Sequence, residues 1–258
     1  MKLEERKLAI YEELVHGDSI KLRELYDVFL PCCVKTGKVY LSSDIILMHD
    51  VSDLNLPYKT LLLSINQLPI LTTSTTQELI SEYDEARHCI FSRVTMTIRL
   101  YYGLKRKRYK NPLVDKELAF IPLNGSVRKE ASFINPMYVN SIHKGREYGT
   151  VVNFMNFLSV DLDCDIKVLK NRMNQMLEHY FLYFYPESYD VFQADIYWKG
   201  KYLAHHKEEV FELYQTLDDE WLSACKNKVE YFHHVKKHHH TLTIQEFISE
   251  YDSYWDIK

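Results

Sequence analysis

Glycine is scarce in this chain, with seven among 258 residues. None is arranged as a Walker loop or a Gly-x-Gly-x-x-Gly turn, so the sequence offers no cradle for a nucleotide phosphate. The five cysteines (Cys32, Cys33, Cys89, Cys164 and Cys225) are odd in number and scattered, without a Cys-x-x-Cys pair. That pattern reads as reduced thiols and excludes a disulfide framework and a zinc ribbon. Long apolar runs are missing too, since none approaches the ~20 residues needed to cross a bilayer. The opening Met1-Lys-Leu-Glu-Glu-Arg-Lys lacks the apolar stretch of a signal peptide. A cytoplasmic protein with no membrane partner is expected. The most telling absence is of negative charge. Between Arg93 and Lys110 there is no Asp or Glu, although the whole chain carries a formal net charge of −4.

What fills that span is positive: Arg93, Arg99, Lys105, Arg106, Lys107, Arg108 and Lys110. Tyr101, Tyr102 and Tyr109 are threaded among these cations, where a ring can shield an Arg stem or pack on sugar. From residue 93 to 129, ten Lys or Arg stand against Asp115 and Glu117, a net of +8. From Pro186 to the end, eight Lys and no Arg stand against fourteen Asp or Glu, a net of −6. A phosphate backbone rewards such clustering, because each neutralised phosphate releases counterions regardless of charge elsewhere on the protein. The leading expectation is a nucleic-acid face made by these seven cations. The bland alternative is a solvated basic loop.

Hydrophobic residues make up 46% of the chain and aromatics 14%, which excludes global disorder. Apolar positions at Leu3, Leu8, Tyr11, Leu14 and Val15 predict a first helix closed by Gly17, with a short second helix after it. Together they form an N-terminal helical segment over 1–28. Strands are expected at Cys33-Val-Lys, Lys38-Val-Tyr-Leu-Ser, Thr60-Leu-Leu-Leu-Ser-Ile and Leu68-Pro-Ile-Leu-Thr. Thr75-Thr-Gln-Glu78 is a capping-box pattern that starts a helix. Its continuation through Arg93 to Leu104 is open between strand and second helix, because Val94, Thr95, Thr97 and Ile98 are β-branched. Strands return at Leu113-Val, Leu118-Ala-Phe-Ile, Met137-Tyr-Val, Val151-Val-Asn-Phe and Leu158-Ser-Val-Asp-Leu. A helix capped by Asp163 or Asp165 follows from Ile166 to about Phe184, with others near 208–217, 219–237 and 244–255, the last capped by Thr243 with Glu246. The fold class expected is α+β: an antiparallel-strand-rich core over 29–185 between the N-terminal helices and an acidic helical extension over 186–258.

The order of elements around the patch carries a resemblance. Phe91-Ser-Arg-Val-Thr leads through the basic stretch into Tyr109-Lys-Asn-Pro-Leu-Val and Leu118-Ala-Phe-Ile-Pro-Leu. A polar loop, Phe133-Ile-Asn-Pro-Met-Tyr-Val, Val152-Asn-Phe-Met-Asn and a helix with Asn171 and Gln175 follow. Over residues 60 to 182 this order resembles the competence transcription factor ComK family. On that resemblance Cys89 corresponds to the family's strand cysteine, Arg93 to its loop arginine, and Ile121-Pro122 to its Phe-Pro position. Ser92 stands where the family has glycine, Leu123 where it has threonine, Ala131 and Phe133 where it has cysteine and tryptophan, and Met155-Asn156 where it has Asn-Gly. The resemblance implies an activator of DNA-uptake genes that binds double-stranded A/T-rich DNA through the minor groove as a homo-oligomer. It also implies turnover through an adaptor and a Clp protease. Narrow A-tract grooves concentrate negative potential and attract Arg, which fits the composition of the patch. Arg93, Arg99, Arg106 and Arg108 are then candidates for groove insertion, and Lys105, Lys107 and Lys110 for phosphate contacts.

The rival chemistry lies in Asp161-Leu-Asp163-Cys-Asp165-Ile-Lys167. Alternating carboxylates with a nearby Lys can hold Mg²⁺ and orient a water for phosphodiester cleavage. The plain reading makes Asp161 and Asp163 outward strand residues and Asp165 a helix cap. Histidines cluster at His205-His206, His233-His234 and His238-His-His240, with His234 and His238 at helical i, i+4 spacing. No Cys or acidic cluster completes a metal site beside them in sequence. No cofactor, metal or catalysis is expected. A protein-only interaction module, with the patch against an acidic partner, is the non-enzymatic rival.

Overall fold

The computed structural model describes residues 3–102, 111–123, 131–145, 149–155, 158–184 and 219–238, together with Thr243 and Glu246. The fold is α+β. Its helices are α1 (Leu3–Val15), α2 (Leu25–Phe29), α3 (Thr76–Ala86), α4 (Ile90–Tyr101), α5 (Ile166–Phe184) and α6 (Asp219–His238). The strands run β1 (Ile20–Lys21), β2 (Val34–Thr36), β3 (Ile45–Asp50), β4 (Thr60–Ser64), β5 (Ile70–Thr72) and β6 (Leu113–Val114). They continue as β7 (Ala119–Pro122), β8 (Phe133–Ile134), β9 (Val139–Lys144), β10 (Thr150–Phe154) and β11 (Leu158–Leu162).

Seven strands form one sheet in the order β2-β5-β4-β3-β8-β7-β6, and four form a second in the order β1-β11-β10-β9. Antiparallel pairing dominates; β2 with β5 and β1 with β11 are parallel. The larger sheet is covered on both faces. Ile46, Leu61, Leu63 and Ile121 point into the main core with α5, whereas Met48, Leu62, Phe120 and Phe133 point into a second cluster under Leu79 and Ile80 of α3. A sheet buried on both sides wants apolar residues at consecutive positions. That is why Thr60-Leu61-Leu62-Leu63-Ser64 is buried throughout.

The expected strand at Lys38-Val-Tyr-Leu-Ser does not form. Beyond Thr36 the backbone is held by side chains instead of a ladder: Thr36 Oγ1 donates to the Lys38 carbonyl and Thr73 Oγ1 to that of Gly37. Tyr40 is 69% exposed. The strand that fills the middle of the sheet is β3. At Met137-Tyr-Val, Asn135 accepts from the Met137 N–H and a 3₁₀ turn precedes β9.

The N-terminal segment 1–28 is packed into the core. The boundary at residue 28 cuts through α2, whose Leu25 and Phe29 are fully buried, and β1 adds an edge to the second sheet. Tyr11 of α1 donates from its hydroxyl to the Ser64 carbonyl at 2.9 Å and meets Phe29 edge-on. In the acidic extension, α6 packs along α4. Thr243 and Glu246 exchange capping hydrogen bonds as the sequence pattern predicts, and the other residues of the helix expected over 244–255 lie outside the described residues. No helix among the described residues is long and apolar enough to cross a membrane.

Candidate nucleic-acid interface

The helix that leads into the basic run is built by a sharp break after α3. His88 and Cys89 take left-handed backbone angles, with φ of 56° and 61°. This turn brings the Asp84 carboxylate to the start of α4, where it accepts from the Phe91 N–H at 2.7 Å and the Ser92 hydroxyl at 2.6 Å. An anion there satisfies orphan donors and complements the helix dipole. The β-branched residues open between two states are therefore helical: Val94, Thr97 and Ile98 form the buried stripe of α4. Cys89 is a turn residue at the cap of α4, not a strand residue, and Arg93 stands on a helix, not in a loop. Both depart from the positions that the ComK resemblance implies.

Arg93 also departs from the expected groove-contacting role. Its side chain is only 25% exposed and pairs with Glu230 of α6 at 2.8 Å. Among the described residues the buried Arg93 Nε has no hydrogen-bond partner, nor have Thr97 Oγ1 one turn on and Nε2 of His233 on α6. Burial, and then the neighbouring Arg93, hold the His233 imidazole below its ordinary pKa. Arg93 is thus a tether between the core and the acidic extension, and Glu230, 137 residues away, could not be paired with it by sequence reasoning.

Arg99, in the last turn of α4, is exposed and makes no ion pair among the described residues. A cation at a helix C-terminus is favoured by the dipole. Tyr101 and Tyr102 meet edge to face at 5.1 Å and, half-buried, pack against the main core at the end of α4. Lys105, Arg106, Lys107, Arg108 and Lys110 lie outside the described residues, as do Tyr109, Arg128 and Lys129.

The two acids inside the basic span are already engaged. Glu117 pairs with Arg87 at 2.8 Å. Asp115 is buried and accepts from the Tyr83 hydroxyl at 2.9 Å. Burial first, and then this carboxylate, push the Tyr83 phenol up, which keeps it a donor. Both acids are thereby bound to α3 or to the residue that caps its end. One further cation had no sequence signal. Arg172 of α5 is partly buried and donates to the Pro122 carbonyl at 2.6 Å and to that of Leu123, which anchors the end of β7 just before Arg128 and Lys129.

The carboxylate series does not assemble a site. Asp161 lies over Gly145, where a Cβ would come within 2.7 Å of its Oδ1. Asp163 and Lys167 are exposed. Asp165 caps α5 by accepting from the Lys167 N–H at 2.7 Å. Among the described residues no three His, Cys, Asp or Glu side chains converge as metal ligands. His234 is exposed on α6 and His238 ends that helix, while His205, His206, His239 and His240 lie outside the described residues. The cysteines are free thiols, and burial raises Cys33 to about 12 and Cys225 to about 11, far from a nucleophile's range. No known protein family, no curated protein and no solved structure matches the chain.

Proposed function

We propose that this protein is a non-enzymatic, double-stranded-DNA-binding regulator of the ComK kind, holding A/T-rich duplex against the basic span that follows α4. The observation that carries the reading is the segregation of charge. Seven cations occur from Arg93 to Lys110 with no acid among them in sequence; Arg93 is paired with Glu230, which leaves six, and of the next two acids Glu117 is paired with Arg87 while Asp115 accepts from the neutral Tyr83 hydroxyl and keeps its charge. The excess of positive charge in the span is one a polyanion would feel within about a Debye length, ~8 Å at physiological salt. Arg99, Arg106 and Arg108 are the candidates for the minor groove, with Lys105, Lys107 and Lys110 on phosphate. Arg93 is left out because Glu230 holds it.

Replacing Arg106 and Arg108 together by alanine tests this assignment. The double variant should bind an A-tract duplex more weakly and with a flatter slope of log K against log salt, because two fewer cations displace counterions from the groove. An unchanged slope in a fluorescence-anisotropy salt titration would remove these two residues from the interface.

A further inference from the structure

Leu222, Cys225, Val229 and Phe232 recur at helical intervals along α6 and are buried. The helix packs along α4, and among the described residues no other pair of helices packs as extensively. Beside the apolar stripe the contact is ionic. Glu230 and His233 stand at i and i+3, so they share a face of α6, and Arg93 of α4 reaches across to Glu230 at 2.8 Å. His233 therefore sits at the seam between the two helices. Its Nε2 is buried and, among the described residues, has no hydrogen-bond partner.

Four charged groups face this ring. Arg93 comes from α4, Asp84 from α3, and Glu230 and Lys236 from α6 itself. Two are cations and two are anions, so the seam is balanced while His233 is neutral. The Cys89 thiol, beside Asp84, Arg93 and Lys236, is raised by burial and adds no charge. A proton on His233 puts a third cation among these groups, on a ring nitrogen shut off from water. Burial first, and then Arg93, hold the imidazole below its ordinary value, so the ring takes a proton more readily once α6 is away from α4.

We propose that His233 is an acid-sensitive latch: a proton on its imidazole releases α6 from α4 and parts Arg93 from Glu230. Above pH ~6.5 neither the docked nor the released helix carries the proton, and the latch is closed. As the pH falls through that value the released form gains a proton that the docked form resists, and docking weakens. Release also frees Arg93, the first cation of the run that ends at Lys110.

Hydrogen exchange of the full chain, followed by mass spectrometry at pH 7.5 and 5.5 and expressed as protection factors, tests the latch. Protection over 221–237 should fall relative to that of α5 by up to about tenfold, the limit for one imidazole of ordinary pKa ~6.5 taken one unit lower. His233→Gln should abolish that difference, whereas His234→Gln, at the exposed neighbour, should keep it. Equal changes in α5 and α6, no change in either, or a fall that survives His233→Gln would overturn the latch. The first two outcomes are read on the wild-type chain, so they decide the matter even where His233→Gln fails to fold.

Discussion

Phe29→Ala is expected to destabilise the whole protein by about 4 kcal/mol, near the upper range for truncating a buried aromatic. Phe29 is fully buried and lies edge-on against Tyr11 with ring centroids 5.8 Å apart. Around it, Leu25, Cys32 and Leu61 are also fully buried in the same core. The ring is therefore shared by α1, α2 and the larger sheet, and its loss leaves a cavity that three elements cannot close together. Leu25→Ala carries the test across the boundary at residue 28: this side chain is fully buried in the same core and its truncation should cost about 3 kcal/mol, whereas a peripheral 1–28 segment would lose less than about 1 kcal/mol and give a separate early transition. Urea denaturation followed by circular dichroism and by aromatic fluorescence distinguishes the two. A single cooperative transition, shifted to much lower urea, is the expected result; an almost unshifted main transition would restore the cap. Tyr11→Phe offers a milder companion, losing about 1 kcal/mol with the hydroxyl that donates to Ser64.

Acid should weaken the fold through His49. Burial holds this imidazole at about 4, well below its ordinary value, with Asp50 opposing the shift. Its Nδ1 lies 3.0 Å from the Ser132 hydroxyl, which also accepts from the Asp50 N–H and so joins β3 to the start of β8. Above pH ~6.5 neither the folded nor the unfolded chain carries the proton, and the stability is complete. As pH falls below that value the unfolded chain binds a proton that the folded chain refuses. The loss grows until the folded imidazole itself titrates near 4, then levels off. Between pH 7.5 and 4.5 this group should remove about 2 to 3 kcal/mol. Other groups add their own pH dependence, so the measurement is the difference between wild-type and His49→Gln denaturation curves at the two pH values. A smaller loss in the variant is expected, and equal losses would show that His49 does not couple folding to protons.

How much of this was legible in the sequence depends on where each signal resides. The Thr75 capping box and α5, from Ile166 to Phe184, rest on local chemistry, and both appear as expected. So does α6, whose periodicity was readable over 219–237. The central strand β3 has no such signature, because Ile45 through Met48 are buried on both faces and show no alternation. Val94, Thr95, Thr97 and Ile98 could not choose between strand and helix by propensity. The choice depends on Asp84, brought to the start of α4 by two left-handed residues without glycine.

The candidate interface divides the same way. Its charge pattern is visible in the sequence, while the assignment of individual cations is not. Arg93 and Arg99 are six residues apart on one helix and look alike in sequence. One is turned into Glu230 and the other is exposed, a difference made entirely by α6. Tyr101 and Tyr102 read in sequence as partners for the cations, and in the fold they are half-buried against the main core. Of the two acids that follow, Glu117 is paired with Arg87 just past α3, while Asp115 accepts from the Tyr83 hydroxyl and keeps its charge.

The central claim is that the basic span holds A/T-rich duplex without cutting it. An electrophoretic mobility shift of the full chain on an A-tract duplex and a G/C duplex of equal length, first without and then with Mg²⁺, addresses it directly. The account predicts a preferential shift of the A-tract duplex that weakens as salt rises and leaves the DNA intact when Mg²⁺ is added. No shift, an equal shift of both duplexes, or cleavage on adding Mg²⁺ would contradict it.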